Sequence, residues 1–257
     1  LETVPGDVGA WKILAGGFVA ALIAHAVPLI AFILSPLVTL FHELGHAAAA
    51  WLLGCPAIPA FDFTYGGGVT EHQDFQLPLG ILIASGWAWL GWTFRRNPRT
   101  LVVIGLFAGT WLVAVSSEWR RELVIASMGH GGELVFAGVL LSMALAGVGW
   151  RIPEIERPLG AFAAFFVQMQ TLEFAWNLRH DAAFLAEYRA GKGGAMMNDL
   201  EAIALDLKIW TGVSMDIREA AGWLLFAALV IPAAATLLYV FRRRVSGFMH
   251  SLLVVGE

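Results

Sequence analysis

An all-α, polytopic membrane helix bundle of about six to seven spans is the fold class this sequence predicts, and three observations predict it. Hydrophobic residues make up 58% of the 257 and charged residues only 14%, and mean hydropathy is +0.72, a balance too apolar for a soluble domain of this length. The apolar residues gather into runs close to the roughly 20 that a helix needs to cross hydrocarbon. Pro98, Pro153 and Pro158 fall in the polar connections between runs.

In chain order the runs lie at about 11–34, 36–54, 78–94, 100–117, 122–149, 159–178 and 219–241. Pro28 and Pro36 interrupt the first two. The N-terminal LETVPGDVGAWK lacks the basic start of a signal peptide, so the first run is expected to remain as a span. Between the second and third runs, AIPAFDFTYGGGVTEHQDFQ is too polar to sit in lipid. Gly66-Gly67-Gly68 permits a tight turn, and FDFTY and VT on either side suit short strands, so a glycine-rich, hairpin-like insertion is expected there, a flexible connection being the plainer reading. Such an edge beside a reactive site is able to hold a peptide as an added strand. No repeat or composition change divides the chain, which reads as a single integral-membrane domain over 1–257.

Charge and cysteine content narrow the partners. A formal charge of -4 points away from nucleic acid, and the single cysteine, Cys55, excludes a disulfide within one chain. The lipid bilayer is the partner that composition demands, and the cell (inner) membrane is the expected location. Arg95, Arg96 and Arg99 in one connection and Arg242-Arg243-Arg244 near the C-terminus are expected on one, cytoplasmic, side, with Arg120 and Arg121 opposite.

The second run contains His42-Glu43-Leu44-Gly45-His46. On a helix, residues four apart share a face, so His42 and His46 can offer ring nitrogens to one metal while Glu43 reaches a water on it. Zinc (Zn2+) suits imidazole ligands and needs one more protein ligand plus an open position. Two satisfied core histidines are the plain alternative, but three ionisable groups inside a membrane segment are costly, which favours a functional site.

Two further segments offer partners. His130 and Glu133, three apart and set among Gly129, Gly131 and Gly132, read as an internal hydrogen-bonded pair; the sharper alternatives are a third metal ligand or an oxyanion stabiliser. Downstream, Gly193-Gly194 precedes Asn198, Asp199, Glu201 and Asp206, which punctuate an amphipathic helical pattern. Asn198 or Asp199 suits a helix cap, and Asp199 is equally suited as a carboxylate ligand. A lone His25 reads as a hydrogen-bonded interior residue, and His72 as a surface histidine.

The HELGH run, the glycine-rich GGGVT and the late NDL together resemble the site-two protease family of intramembrane zinc metalloproteases, in particular its compact branch with a distal aspartate ligand. The resemblance implies that His42, His46 and Asp199 hold zinc, that Glu43 activates the water as general base, and that Asn198 orients a ligand or a substrate carbonyl. It implies a zinc metalloendopeptidase acting on a membrane protein or peptide substrate. The family's leucine-aspartate-glycine form of the distal motif is replaced here by Asn198-Asp199-Leu200. The rival expectation is a non-catalytic, protease-like subunit serving as a scaffold among partner subunits of a larger membrane complex. Seven simple spans would put Asp199 and the start of the second span on opposite sides. The site therefore requires either that 179–217 folds back into the bundle or that 122–149 breaks at Gly129–Gly132.

Overall fold

The computed structural model describes residues 7–61, 67–191 and 197–253. Its elements are α1 (Asp7–Ala26), α2 (Pro28–Leu52), β1 (Ala57–Phe61), β2 (Gly68–His72), α3 (Leu77–Thr93), α4 (Pro98–Val115), α5 (Glu118–Ala146), α6 (Pro153–His180), α7 (Ala182–Ala190), α8 (Asp199–Thr211), α9 (Ile217–Val240) and α10 (Arg242–Leu253). The architecture is the all-α membrane bundle that composition predicts. Among the described residues five helices, α1, α2, α4, α5 and α9, are long and apolar enough to cross a membrane. That is fewer than the six to seven expected. The apolar α3 has only 17 residues, and α6 carries Glu154, Glu156, Arg157, Glu173 and Arg179. Helix α6 packs against α1, α5 and α9, where neighbours cover its polar Gln168 and Thr171.

The first boundary differs from the sequence reading. The chain breaks at Val27, and Pro28 opens α2 in the first turn, where a missing N–H costs nothing. Pro36 is then inside α2. It cannot donate to Phe32 O, and Ser35 Oγ does so instead at 2.9 Å, so the freed carbonyl is satisfied within the segment.

Helix α5 runs unbroken through Gly129-His130-Gly131-Gly132 and stops at Gly147, whose φ of 70° gives a left-handed cap. The glycines serve a close crossing with α2. A Cβ on Gly132 would meet Gly45 Cα and Phe41 O, and one on Gly45 would meet Met128 O and Gly132 Cα. The two backbones therefore touch without intervening side chains, as small residues allow between membrane helices.

The topological conflict is resolved by the other route. The 179–217 region folds back as α7 and α8, with α8 packed on α5, while Gly193-Gly194 lies outside the described residues. Because α2 begins at Pro28, His42 also lies in the second half of that helix, towards the end where α5 begins.

The insertion is a two-stranded antiparallel hairpin, with Ala57 opposite His72 and Phe61 opposite Gly68. Its first strand is AIPAF rather than FDFTY; 62–66, with Gly66, lies outside the described residues. Pro59 fits this short ribbon because proline is tolerated on edge strands.

The two arginine clusters expected on one side lie at one end of the bundle. Asn97, the N-cap of α4, donates from Nδ2 to Ser251 O at 2.8 Å, and Thr100 Oγ1 donates to Leu252 O at 2.6 Å. The α3–α4 connection and α10 thus share one end of the bundle. At the other end Arg121 donates to Val115 O at 2.9 Å and Arg120 to Ser116 Oγ at 2.6 Å, placing cations at the C-terminus of α4.

Candidate metal centre

The site is built where α2, α5, α6, α8 and β2 meet. His46 Nδ1 lies 2.7 Å from Ile125 O, and a carbonyl oxygen only accepts, so Nδ1 carries the proton. His42 Nδ1 lies 2.7 Å from Glu133 Oε1 and donates likewise. Glu133, 3% exposed, also accepts from His130 Nδ1 at 3.1 Å and from Thr171 Oγ1 at 2.5 Å. With both Nδ1 protons committed, the Nε2 atoms of His42 and His46 present lone pairs.

Those lone pairs face each other and a carboxylate. His42 Nε2 and His46 Nε2 are 3.1 Å apart, and Asp199 Oδ2 stands 2.9 Å from the first and 3.1 Å from the second. Three acceptors at this separation repel unless a cation or an added proton lies among them. Tetrahedral zinc with bonds of about 2.0–2.1 Å separates its ligand atoms by roughly 3.3 Å, so this donor set fits the metal in type and spacing. Gly129 makes the room, since a Cβ there would meet His42 Nε2 and His46 Nε2.

Asp199 reaches the centre as the first residue of α8. Asn198 is the N-cap: its backbone N–H donates to Glu201 Oε2 at 3.5 Å, and its side-chain amide donates to Tyr188 O and to the same carboxylate. Tyr188 Oη accepts from Leu200 N at 3.2 Å, so α7 fixes the turn from which Asp199 projects. Asn198 takes the capping role that its residue type predicts; among the described residues its amide makes no hydrogen bond to His42, His46 or Asp199.

Glu43 is 7% exposed and pinned by β2. Thr70 Oγ1 donates to Glu43 Oε2 at 2.6 Å, and Gly68 lies so close that a Cβ would meet the Glu43 side chain. A cavity of about 590 Å³ is lined by His42, Glu43, His46, Thr70, His130 and Asp199 among others.

No family model, curated protein or solved structure matches this chain. The functional reading therefore rests on the geometry of the site itself.

His130 is near the centre in a different way. It brings a ligand atom within 4.8 Å of those of His42 and Asp199, forming a second candidate group. Its ring lies edge-on to His42 and stacked on Phe174, each with centroids 4.7 Å apart. The expected His130–Glu133 pair is present, but the shorter bond of Glu133 goes to His42. That link joins residues 91 apart, and no local spacing signals it. Thr171 on α6 carries no sequence signal either. His72 is no plain surface histidine: it lines the cavity with Nε2 3.3 Å from Glu122 Oε2. His25 is hydrogen-bonded as expected, to Gln170 at 3.3 Å, and faces Glu173 at 3.4 Å.

Proposed function

We propose that this chain is an intramembrane zinc metalloprotease that hydrolyses peptide bonds of membrane-embedded or membrane-adjacent substrates. The convergence of His42 Nε2, His46 Nε2 and Asp199 Oδ2 as three mutually facing acceptors, with Glu43 on the wall of the same cavity, carries this reading. Zinc, when bound, supplies Lewis acidity toward a peptide carbonyl and lowers the pKa of its water to about 7. Glu43 takes the proton of the attacking water and passes it to the leaving amine. Thr70 holds the carboxylate of Glu43 in one orientation through this transfer, which keeps the base from swinging away. Strand β2 offers extended backbone beside Glu43, against which a substrate segment can lie as an added strand. The bundle around the cavity limits the water that reaches it.

The test is metal content followed by proteolysis. Purified full chain is expected to hold about one zinc, because the two candidate ligand groups share His42 and Asp199, and Glu43→Gln is expected to keep the metal but stop the disappearance of substrate from membranes. Native chain that folds and holds no metal would replace this reading with that of a scaffold subunit.

A further inference from the structure

The end of the bundle remote from the cavity carries cations that the site does not use. Arg95, Arg96 and Arg99 lie in and just after the α3–α4 connection, Arg242, Arg243 and Arg244 open α10, and all are exposed. Among the described residues, no carboxylate forms an ion pair with Arg95, Arg96, Arg99, Arg243 or Arg244. This is a concentration of positive charge on a chain whose formal charge is -4.

Helix α10 has the pattern of a helix lying in a membrane surface. Val245, Phe248, Met249 and Leu252 recur at i, i+3, i+4 and i+7 behind the three arginines. Leu252 is buried, whereas Phe248, Met249 and Leu253 are exposed. The helix does not hang free, because Asn97 and Thr100 hold its last carbonyls. Twelve residues span about 18 Å, so α10 carries one arginine group at its start and brings its far end to the other. Three guanidinium groups rest on aromatic rings: Arg95 on Trp92 at 4.4 Å, Arg242 on Tyr239 at 4.2 Å and Arg244 on Phe241 at 5.8 Å. Such stacking holds the cations at the level where aromatic belts meet headgroups. At the α9–α10 junction a cleft of about 360 Å³ is lined by Val240, Phe241 and the three arginines.

We propose that α10 and the α3–α4 connection together form a binding surface for the headgroups of anionic phospholipids. The arginine forks take the phosphate, and Phe248 and Met249 enter the acyl boundary beneath it. Charge complementarity selects the occupant. A zwitterionic headgroup brings an ammonium group toward the guanidinium groups of Arg95, Arg96, Arg99, Arg243 and Arg244, whereas an anionic one does not. The apolar residues beside the arginines suit an anion that carries acyl chains.

The full chain in non-ionic detergent would be titrated with pyrene-labelled phosphatidylglycerol and, separately, pyrene-labelled phosphatidylcholine, read by energy transfer from its tryptophans. Phosphatidylglycerol is expected to bind tighter, and more weakly as salt rises. Arg242→Gln/Arg243→Gln/Arg244→Gln is expected to weaken phosphatidylglycerol on the order of a hundredfold and to leave phosphatidylcholine unchanged, with the corresponding lysine variant close to native. Arg95→Gln/Arg96→Gln, on a separate element, gives a second reading should the triple variant misfold, with a loss of roughly tenfold to a hundredfold expected. Equal affinity of the native chain for the two lipids, or native affinity for phosphatidylglycerol in the charge variants that fold, overturns the proposal.

Discussion

Glu133 Oε1 lies 2.7 Å from His42 Nδ1, across the α2–α5 crossing, and this contact decides which nitrogen of His42 faces the cavity. The same carboxylate receives donors from α5 and α6, so one buried acid ties His42 to two further helices. A carboxylate behind a ligating histidine fixes its tautomer and raises its basicity. Glu133→Ala is therefore expected to weaken metal binding about tenfold to a hundredfold, measured by competition with a chromogenic chelator. Glu133→Gln keeps an acceptor and should lose less, and Thr171→Val less again. Unchanged affinity in folded Glu133→Ala would mean that His42 is oriented by packing alone.

The ligand set itself separates by substitution. His46→Ala and Asp199→Ala are expected to abolish stoichiometric metal, while His130→Ala retains it, because the ligand atoms that stand within 3.1 Å of one another are those of His42, His46 and Asp199. Elemental analysis of the three purified variants decides this. Metal lost in His130→Ala but kept in His46→Ala would hand the site to His42, His130 and Asp199.

Glycine positions give a steric prediction that is independent of metal. A Cβ on Gly45 runs into backbone, so Gly45→Ala should destabilise the fold by about 1–3 kcal/mol, the usual scale of overpacking. A Cβ on Gly129 meets the two imidazoles instead, so Gly129→Ala should lose metal along with any loss of stability. Gly105 on α4 has open space around it, and alanine there should be tolerated or gain up to about 1 kcal/mol. Thermal unfolding in detergent ranks the three, and equal effects at Gly45 and Gly105 would contradict the close crossing.

His72 supplies a pH signature outside the spans. Its hydrogen bond to Glu122 raises its pKa above the ordinary 6.5, burial opposing and Asp74 adding to the rise. A raised folded value means that the charged imidazole stabilises the fold fully below the unfolded value and ceases to do so as pH rises through the folded one. His72→Gln should then lower stability to thermal unfolding below about pH 6.5, by ~0.5 kcal/mol or less for so solvated a pair, with the difference fading as pH rises through the raised folded value. A difference that grows with pH would contradict the pairing.

What the sequence made legible follows from the range of each signal. Hydropathy acts over one segment, so the bundle and most of its helices could be read directly. It read the sixth run from about 159, with Pro153 and Pro158 in a polar connection, whereas Pro153 opens α6 and Pro158 lies inside it. The division between the first two helices was read at Pro36, whereas Ser35 supplies the hydrogen bond that lets α2 continue through it. His42, Glu43 and His46 were legible because helical periodicity alone puts them together. The meeting of Asp199 with the two histidines was an expectation from resemblance, and it required α7 and α8 to fold back. Glu133, Thr70 and Thr171 support the site through contacts between separate elements, which no local pattern encodes.

The close meeting of His42 Nε2, His46 Nε2 and Asp199 Oδ2 has a further consequence for the life of the chain in a cell. An empty centre of this kind carries repulsion that a bound ion removes, and the affinity of the ion then becomes part of the stability of the fold. Stability in turn sets how often a membrane protein opens to the proteases that patrol its compartment. On the proposed reading, chains that fold during metal shortage are the ones cleared first. The quantity of working protein would then follow metal supply with no dedicated regulator.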